Sequence, residues 1–348
     1  MTSPLATIIA FPIVLGLLIL VHEIGHFTSA KLIGVRVFEF GLGFPPRVAK
    51  VVRGETTYSL NALPLGGFVK MMGENGEDAG DPRSFGAKPA WMRGIILVAG
   101  PAMNIALALV LFFTAAVWLG APVATNVVGS VQKHSPAQRA GLRHDDIIVA
   151  VAGTRTRSLA AIHKVTEAHL GKRISLTILR SGRRMIVYVR PRLHPPANQG
   201  SVGVIMAVRE QRYSVQTAAI KSFEGVGAMV MAIPNLIASI GSHGTQNISG
   251  PVGIARMTGE SASSIPQEGL GQFFAFVALL SANLGVLNLL PIPALDGGRL
   301  ALVIVAGIRR RNLNPEVEGL IHLVGMAILF TLILVISYQD IIRWASGQ

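Results

Sequence analysis

Hydrophobic positions in this chain come in long blocks separated by polar or alternating stretches, and the blocks predict four helices long enough to span a bilayer. They cover about residues 5–30, 94–119, 273–291 and 318–338. A fifth apolar stretch, "GVGAMVMAIPNLIASIG" at 225–241, is short and carries Pro234 and Asn235. It reads as a helix lying along a membrane surface. Between the second and third blocks the period drops to two: "RISLTILRSGRRMIVYVRP" (173–191) alternates apolar and polar residues around Ser181-Gly182, the pattern of a hairpin. "TTYSLNALPLGGFVKMMG" (56–73) also reads as a hairpin with apolar tips, beside the first span, with Met71 and Met72 as apolar surface.

Composition agrees with the pattern. Of 348 residues 51% are hydrophobic and 14% charged, and the mean hydropathy is +0.52, values of an integral membrane protein. The first block has no basic region before it and no small-residue cleavage site, so it reads as a span rather than a signal peptide. With no cysteine, disulfide frameworks, thiolate metal sites and cysteine nucleophiles are excluded. The net charge of +13 does not indicate nucleic acid as a partner. Residues 120–271 hold 17 Lys/Arg against 7 Asp/Glu, scattered rather than clustered, which fits a domain beside anionic membrane lipids.

Basic residues near the span ends set direction. Residues 1–21 have none, Lys31 to Arg93 include nine, and 299–311 include Arg299, Arg309, Arg310 and Arg311. Both of the latter loops are expected in the cytosol, with 120–271 and both termini on the other side. First and third spans then run parallel.

Chemistry enters with "HEIGH" at 22–26. His22 and His26, four apart, project from one helix face and can grip one metal ion, while Glu23 is offset as a general base. Ionisable groups inside a span are functional by default. Catalytic zinc takes three protein ligands and keeps one open position. Asp296 is the only acid between Glu268 and Glu316, follows Pro291 and Pro293, and precedes Gly297 and Gly298, which allow close backbone approach. His22 lies roughly 24 Å along its helix, near the cytosolic end, and Asp296 just past the cytosolic end of the third span. A fifth crossing at 225–241 would separate them. One zinc ion with two neutral imidazoles and the carboxylates of Asp296 and Glu23 sums to zero charge, which a low-dielectric site tolerates best.

"HEIGH", "AGPAMN" (99–104) and "NLLPIPALDGG" (288–298) together resemble the site-2 protease family, in particular its bacterial branch of intramembrane zinc proteases bearing PDZ domains. The likeness runs over nearly the whole chain. It implies His22, His26 and Asp296 as ligands of one Zn²⁺ per chain, Glu23 as catalytic base, and Asn283 and Asn288 near the substrate. Many relatives carry a histidine where this chain has Arg299, but that histidine is not a ligand. "SPAQRAGLRHDDIIVAVAG" (135–153) is similar to the PDZ signature, with Asp145-Asp146 in place of the usual Gly-Asp.

The resulting expectation is a polytopic α-helical membrane protein with four transmembrane helices, a membrane-associated β-hairpin loop and one extracytoplasmic, mainly β, PDZ-like domain. Residues 1–119 hold the first two spans with the β-loop at 34–90, 120–200 the PDZ-like domain, 201–271 an amphipathic linker, and 272–348 the last two spans. "GENGEDAGD" (73–81) reads as a solvated loop, and Gly100-Pro101 as a packing device. The resemblance implies regulated intramembrane proteolysis in a bacterial cytoplasmic membrane, on single-span substrates such as anti-sigma factors or remnant signal peptides. An unwound substrate segment would add as a strand at Gly66, Gly67 and Phe68, and peptide or truncated substrate ends would meet the PDZ-like domain. A catalytically silent PDZ-bearing scaffold predicts missing ligands, and none is missing.

Overall fold

The computed structural model describes residues 4–74, 80–156, 158–196, 199–243, 249–309 and 314–345. In chain order, helix α1 (Pro4–Ile33) leads to strands β1 (Val37–Arg53) and β2 (Thr56–Met71), then to α2 (Ala90–Thr114), which ends in a π-helical turn at Ala115–Leu119. There follow β3 (Ala121–Val131), α3 (Pro136–Arg139), β4 (Ile147–Val151), β5 (Thr154–Arg155), α4 (Leu159–Glu167), β6 (Ile174–Arg180), β7 (Arg183–Val189) and β8 (Val204–Gln211). The chain closes with α5 (Val215–His243), α6 (Pro251–Ser263), α7 (Ile265–Asn288), α8 (Asp296–Arg309) and α9 (Pro315–Ala345). These elements form two compact units, Met1–Leu119 with Tyr213–Gln348, and Gly120–Arg212.

In the helical unit, four helices among the described residues are long and apolar enough to cross a membrane: Pro4–Ile33, Ala90–Leu119, Ile265–Asn288 and Glu316–Arg343. They are the four that the hydrophobic blocks predict. The third stops at Asn288 rather than 291, because Pro291 has no N–H to continue the ladder and disfavours helix at the residue before it. α1 and α2 run antiparallel: Gly25 lies against Ala99 and Gly100, while Val14 and Leu18 share a cluster with Leu107 and Leu111. α7 is antiparallel to α2 as well, with Gly285 against Pro101 and Ser281 donating to the Asn104 carbonyl at 2.7 Å. First and third spans are therefore parallel, as the charge pattern requires.

The 225–241 stretch is helical throughout. It belongs to the longer α5, whose Val226 and Met229 pack with Ala108 of α2 and Ala278 and Ala282 of α7. Small residues on α2 and α7 leave room for these two side chains, so the first part of the stretch packs on both helices. α6 is fixed at both ends of its first two turns: Gly259 meets Thr7 of α1, and Asp340 of α9 accepts from the Gly250 and Gly253 amides at 2.9 and 2.8 Å. A carboxylate there satisfies amides left free at a helix start.

The β-loop also differs from its sequence reading. Residues 56–71 are one strand, β2, and its hairpin partner is β1, joined through Gly54-Glu55. Phe40 stands opposite both Tyr58 and Val69, so the middle of β1 lies between two parts of β2. Phe44, Val48, Val51, Val52, Leu60 and Leu63 are exposed, giving the apolar tip expected of a membrane-associated hairpin. Met71 and Met72 are buried rather than surface residues, because β2 ends under α1 and α2 in the cluster of Ala30, Val37 and Ile96. Of the acidic 73–81 stretch, 75–79 lie outside the described residues.

The β unit is a six-stranded sheet in the order β7-β6-β4-β3-β8, with β5 on β4. β8 pairs with β3 from Ala121↔Gln211 to Val131↔Val204, so the unit continues to Arg212 and not only to residue 200. Short alternation and exposed Ile205 and Val208 hide this strand in a single sequence. Ser135 caps α3 by accepting from Gln138, with Pro136 in the first turn. Ser181 and Gly182 both have positive φ, as a two-residue hairpin turn demands. Asp145 takes φ 65 where glycine is usual, and Asp146 is fully buried, held by Arg180 at 2.7 Å and by the Arg143 amide at 2.8 Å.

Candidate metal centre

Three donor atoms, two from α1 and one from α8, meet at one point. His22 Nε2 lies 3.1 Å from His26 Nε2 and 3.0 Å from Asp296 Oδ2, and His26 Nε2 lies 3.3 Å from the same oxygen. The helical repeat puts the two histidines on one face of α1. Asp296 reaches them across 270 residues of sequence because α7 runs parallel to α1 and then stops at the Leu289–Leu295 turn. Gly297 and Gly298 press directly on the Leu289, Leu290 and Ile292 carbonyls, and no side chain would fit there. That close approach makes Asp296 the first residue of α8, where a carboxylate suits the helix start.

The outer nitrogens of both rings are also engaged. His26 Nδ1 is 2.8 Å from the Ile96 carbonyl, and so donates its proton there. A neutral His26 then presents a bare lone pair from Nε2 toward the Asp296 carboxylate. His22 Nδ1 lies 3.2 Å from the side-chain amide of fully buried Asn104. Gly100 faces the His26 ring with no space for a Cβ, so the Gly100-Pro101 packing device serves the ring directly.

These atoms fit a zinc ion. Four tetrahedral ligands about 2.1 Å from one ion stand about 3.4 Å apart, close to the 3.0–3.3 Å spacings here. Lone pairs of two imidazoles and a carboxylate aimed at one another repel unless a cation lies among them. His22, His26 and Asp296 are also the only group of three or more such side chains, among the described residues, able to hold a metal.

Glu23, half-buried, stands beside this cluster, and its neighbour is the β-loop. A Cβ on Gly67 would come 2.8 Å from Glu23 Cγ and 2.9 Å from Ile19 Cγ2, so only glycine lets β2 lie against α1 at this point. Gly66 faces the Phe44 ring and Phe68 covers Gly41, so these two shape the sheet rather than the metal cluster. Asn283 is exposed and Asn288 half-buried, and neither is hydrogen-bonded to His22, Glu23, His26 or Asp296. Arg299 forms an ion pair with Glu74, whose other oxygen accepts from the Met71 amide at 3.3 Å, tying α8 to the end of β2. Sequence reasoning gave Asn104 and Arg299 no part in the site. A polar residue inside an otherwise apolar span was the available signal for Asn104.

Comparison with known proteins gives a consistent result. The sequence profile described as peptidase family M50 matches residues 10–332. The Clostridium acetobutylicum protein CA_C1796, named as a zinc metalloprotease, is 33% identical over 328 residues, covering 94% of this chain and 95% of its own. Zinc metalloprotease RasP of Geobacillus kaustophilus is 29% identical, covering 98% of this chain and 99% of its own. The regulator of sigma-W protease RasP of Bacillus subtilis is 28% identical, covering 97% and 98%.

Proposed function

Since the chain belongs to peptidase family M50 and is a zinc metalloprotease, we propose that it cuts single-span membrane proteins within or near the cytosolic face of the bilayer. The observation that carries this reading is the convergence of His22, His26 and Asp296 beside Glu23 inside a bundle of four apolar helices.

His22, His26 and Asp296 hold one zinc ion per chain. When bound, zinc supplies Lewis acidity toward a peptide carbonyl and toward water. Glu23 takes the proton of the attacking water and delivers it to the departing amine nitrogen. A transmembrane helix cannot be cut while its carbonyls are engaged within it, so the substrate must be extended first. The β2 segment Gly66–Phe68, running past Glu23, offers backbone partners to such a segment, as in strand addition. Asn283 and Asn288 bond freed substrate backbone groups from α7, which their lack of partners within the site permits.

The Gly120–Arg212 unit is a PDZ-like domain on the extracytoplasmic side, where it meets peptide or truncated substrate ends. Its proline-started α3, the Gly141 turn and buried Asp146 support that assignment. Direction follows from the nine basic residues in Lys31–Arg93. The Bacillus subtilis relative is named for sigma-W regulation, which favours membrane-bound regulators as substrates in a bacterial cytoplasmic membrane.

The test uses purified protein in detergent with a model single-span substrate, the cut mapped by mass spectrometry. The parent is expected to cut within the apolar segment and Glu23→Gln to lose at least about 10²-fold in rate. Equal cleavage by Glu23→Gln, or cutting confined to loops outside the span, would contradict the proposal.

A further inference from the structure

The first half of α9 makes little contact with the rest of the bundle: Leu320, Leu323, Val324 and Met326 are all exposed. Two positions on it behave differently. His322 Nδ1 accepts the Ala294 backbone N–H at 3.2 Å. Gly325, three residues on and so on the same face, presses on Pro293: a Cβ there would come 2.8 Å from its carbonyl carbon and 2.9 Å from the oxygen. Both touch the turn that delivers Asp296. Ala294 holds φ 78 in that turn, the left-handed region that residues with a Cβ avoid.

From this geometry we propose that His322 and Gly325 are positioning residues for the metal carboxylate, an inference that rests on the zinc reading above. With Nδ1 as acceptor, the neutral ring carries its proton on Nε2, which is buried with no partner among the described residues. A half-satisfied buried imidazole is unfavourable unless its one bond matters. That bond gives the Ala294 N–H its acceptor only while Ala294 keeps positive φ, and Asp296 follows two residues later. Gly325 lets the α9 backbone come close enough for the bond to form. α9 thereby fixes where α8 starts without touching the metal or the substrate.

The experiment measures zinc affinity by competition with a chromophoric chelator, and cleavage of the model substrate. It compares the parent, His322→Leu, His322→Asn, and the double variant His322→Leu with Ala294→Gly. His322→Leu is expected to lose about 10- to 100-fold in zinc affinity and in kcat, with KM unchanged. Asparagine places an oxygen where Nδ1 stands, and is expected to stay within about threefold of the parent. Glycine adopts positive φ freely, so Ala294→Gly is expected to recover most of the loss in the leucine background. Parent-like zinc affinity in His322→Leu, an asparagine variant as impaired as leucine, or no recovery with glycine would each overturn the proposal. A parent that binds no zinc would overturn the metal reading itself, whereas an active, zinc-binding parent with an unaffected His322→Leu overturns only this inference.

Discussion

The side-chain amide of Asn104 on α2 lies 3.2 Å from His22 Nδ1 on α1, both buried, and its Oδ1 has no other partner among the described residues. If His22 Nε2 is to keep a lone pair for a metal, Nδ1 must carry the proton and donate it. Turning the amide by half a rotation puts Oδ1 in place to accept, and removes the orphaned oxygen at the same time. Asn104 then does for His22 what the Ile96 carbonyl does for His26.

Asn104→Leu is accordingly expected to lower zinc affinity by about 10- to 100-fold while leaving the protein folded, and Asn104→Asp, which keeps an acceptor oxygen, to lose less. Chelator competition on both variants measures this. Equal affinities for Leu and Asn at position 104 would remove Asn104 from the metal's support.

Gly67 makes a different prediction, because it lies against Glu23, the proposed base, and not against the proposed ligands. A methyl group at Gly67 must displace Glu23 or Ile19, or lift β2 away from α1. Gly67→Ala should cut the cleavage rate by about 10²-fold, the usual consequence of shifting a catalytic group by about 1 Å. Zinc content should stay at the parent level. Loss of zinc together with activity would mean that β2 supports the ligands instead.

In the β unit, burial acts to raise the Asp146 pKa, but the hydrogen bonds and charge of Arg180, with the Arg143 amide, outweigh it and hold the carboxyl below the ordinary aspartate value. A carboxylate with a lowered native pKa contributes stability that is complete above the unfolded value and disappears as pH falls through the native one. Protection factors of the β4 and β6 amides, corrected for intrinsic exchange, should therefore be constant in this respect near neutrality and fall below about pH 4. Asp146→Asn should destabilise the unit by about 3 kcal/mol and flatten that acid dependence. An unchanged acid dependence in Asp146→Asn would assign it to another group.

Much of this was legible in the chain. Hydrophobic length alone gives four spans, because a bilayer fixes how many apolar residues a helix needs. His22 and His26 are legible from the helical repeat, and Asp296 from being the lone acid after the two prolines. β8 was not legible: its partner β3 is far off in sequence, and a strand at a sheet edge with exposed Ile205 and Val208 lacks clean alternation. Nor was the seat of α5, since which face of an apolar helix meets its neighbours depends on where Ala108, Ala278 and Ala282 leave space. Asn104 and His322 stand out as polar residues in spans, but their partners follow only from the antiparallel pairing of α1 with α2 and from the turn at Ala294. The burial of Met71 and Met72 is not legible either, because the end of β2 folds under two helices, which no local pattern reveals.

The central claim is that side chains 270 residues apart form one zinc site. Its most direct test is the zinc content of purified parent and Asp296→Ala, measured per chain by elemental analysis after dialysis against a weak chelator. The account predicts about one zinc per chain in the parent and less than about a tenth of that in Asp296→Ala, since a site left with two imidazoles has lost its third ligand. Stoichiometric zinc retained by Asp296→Ala would contradict it.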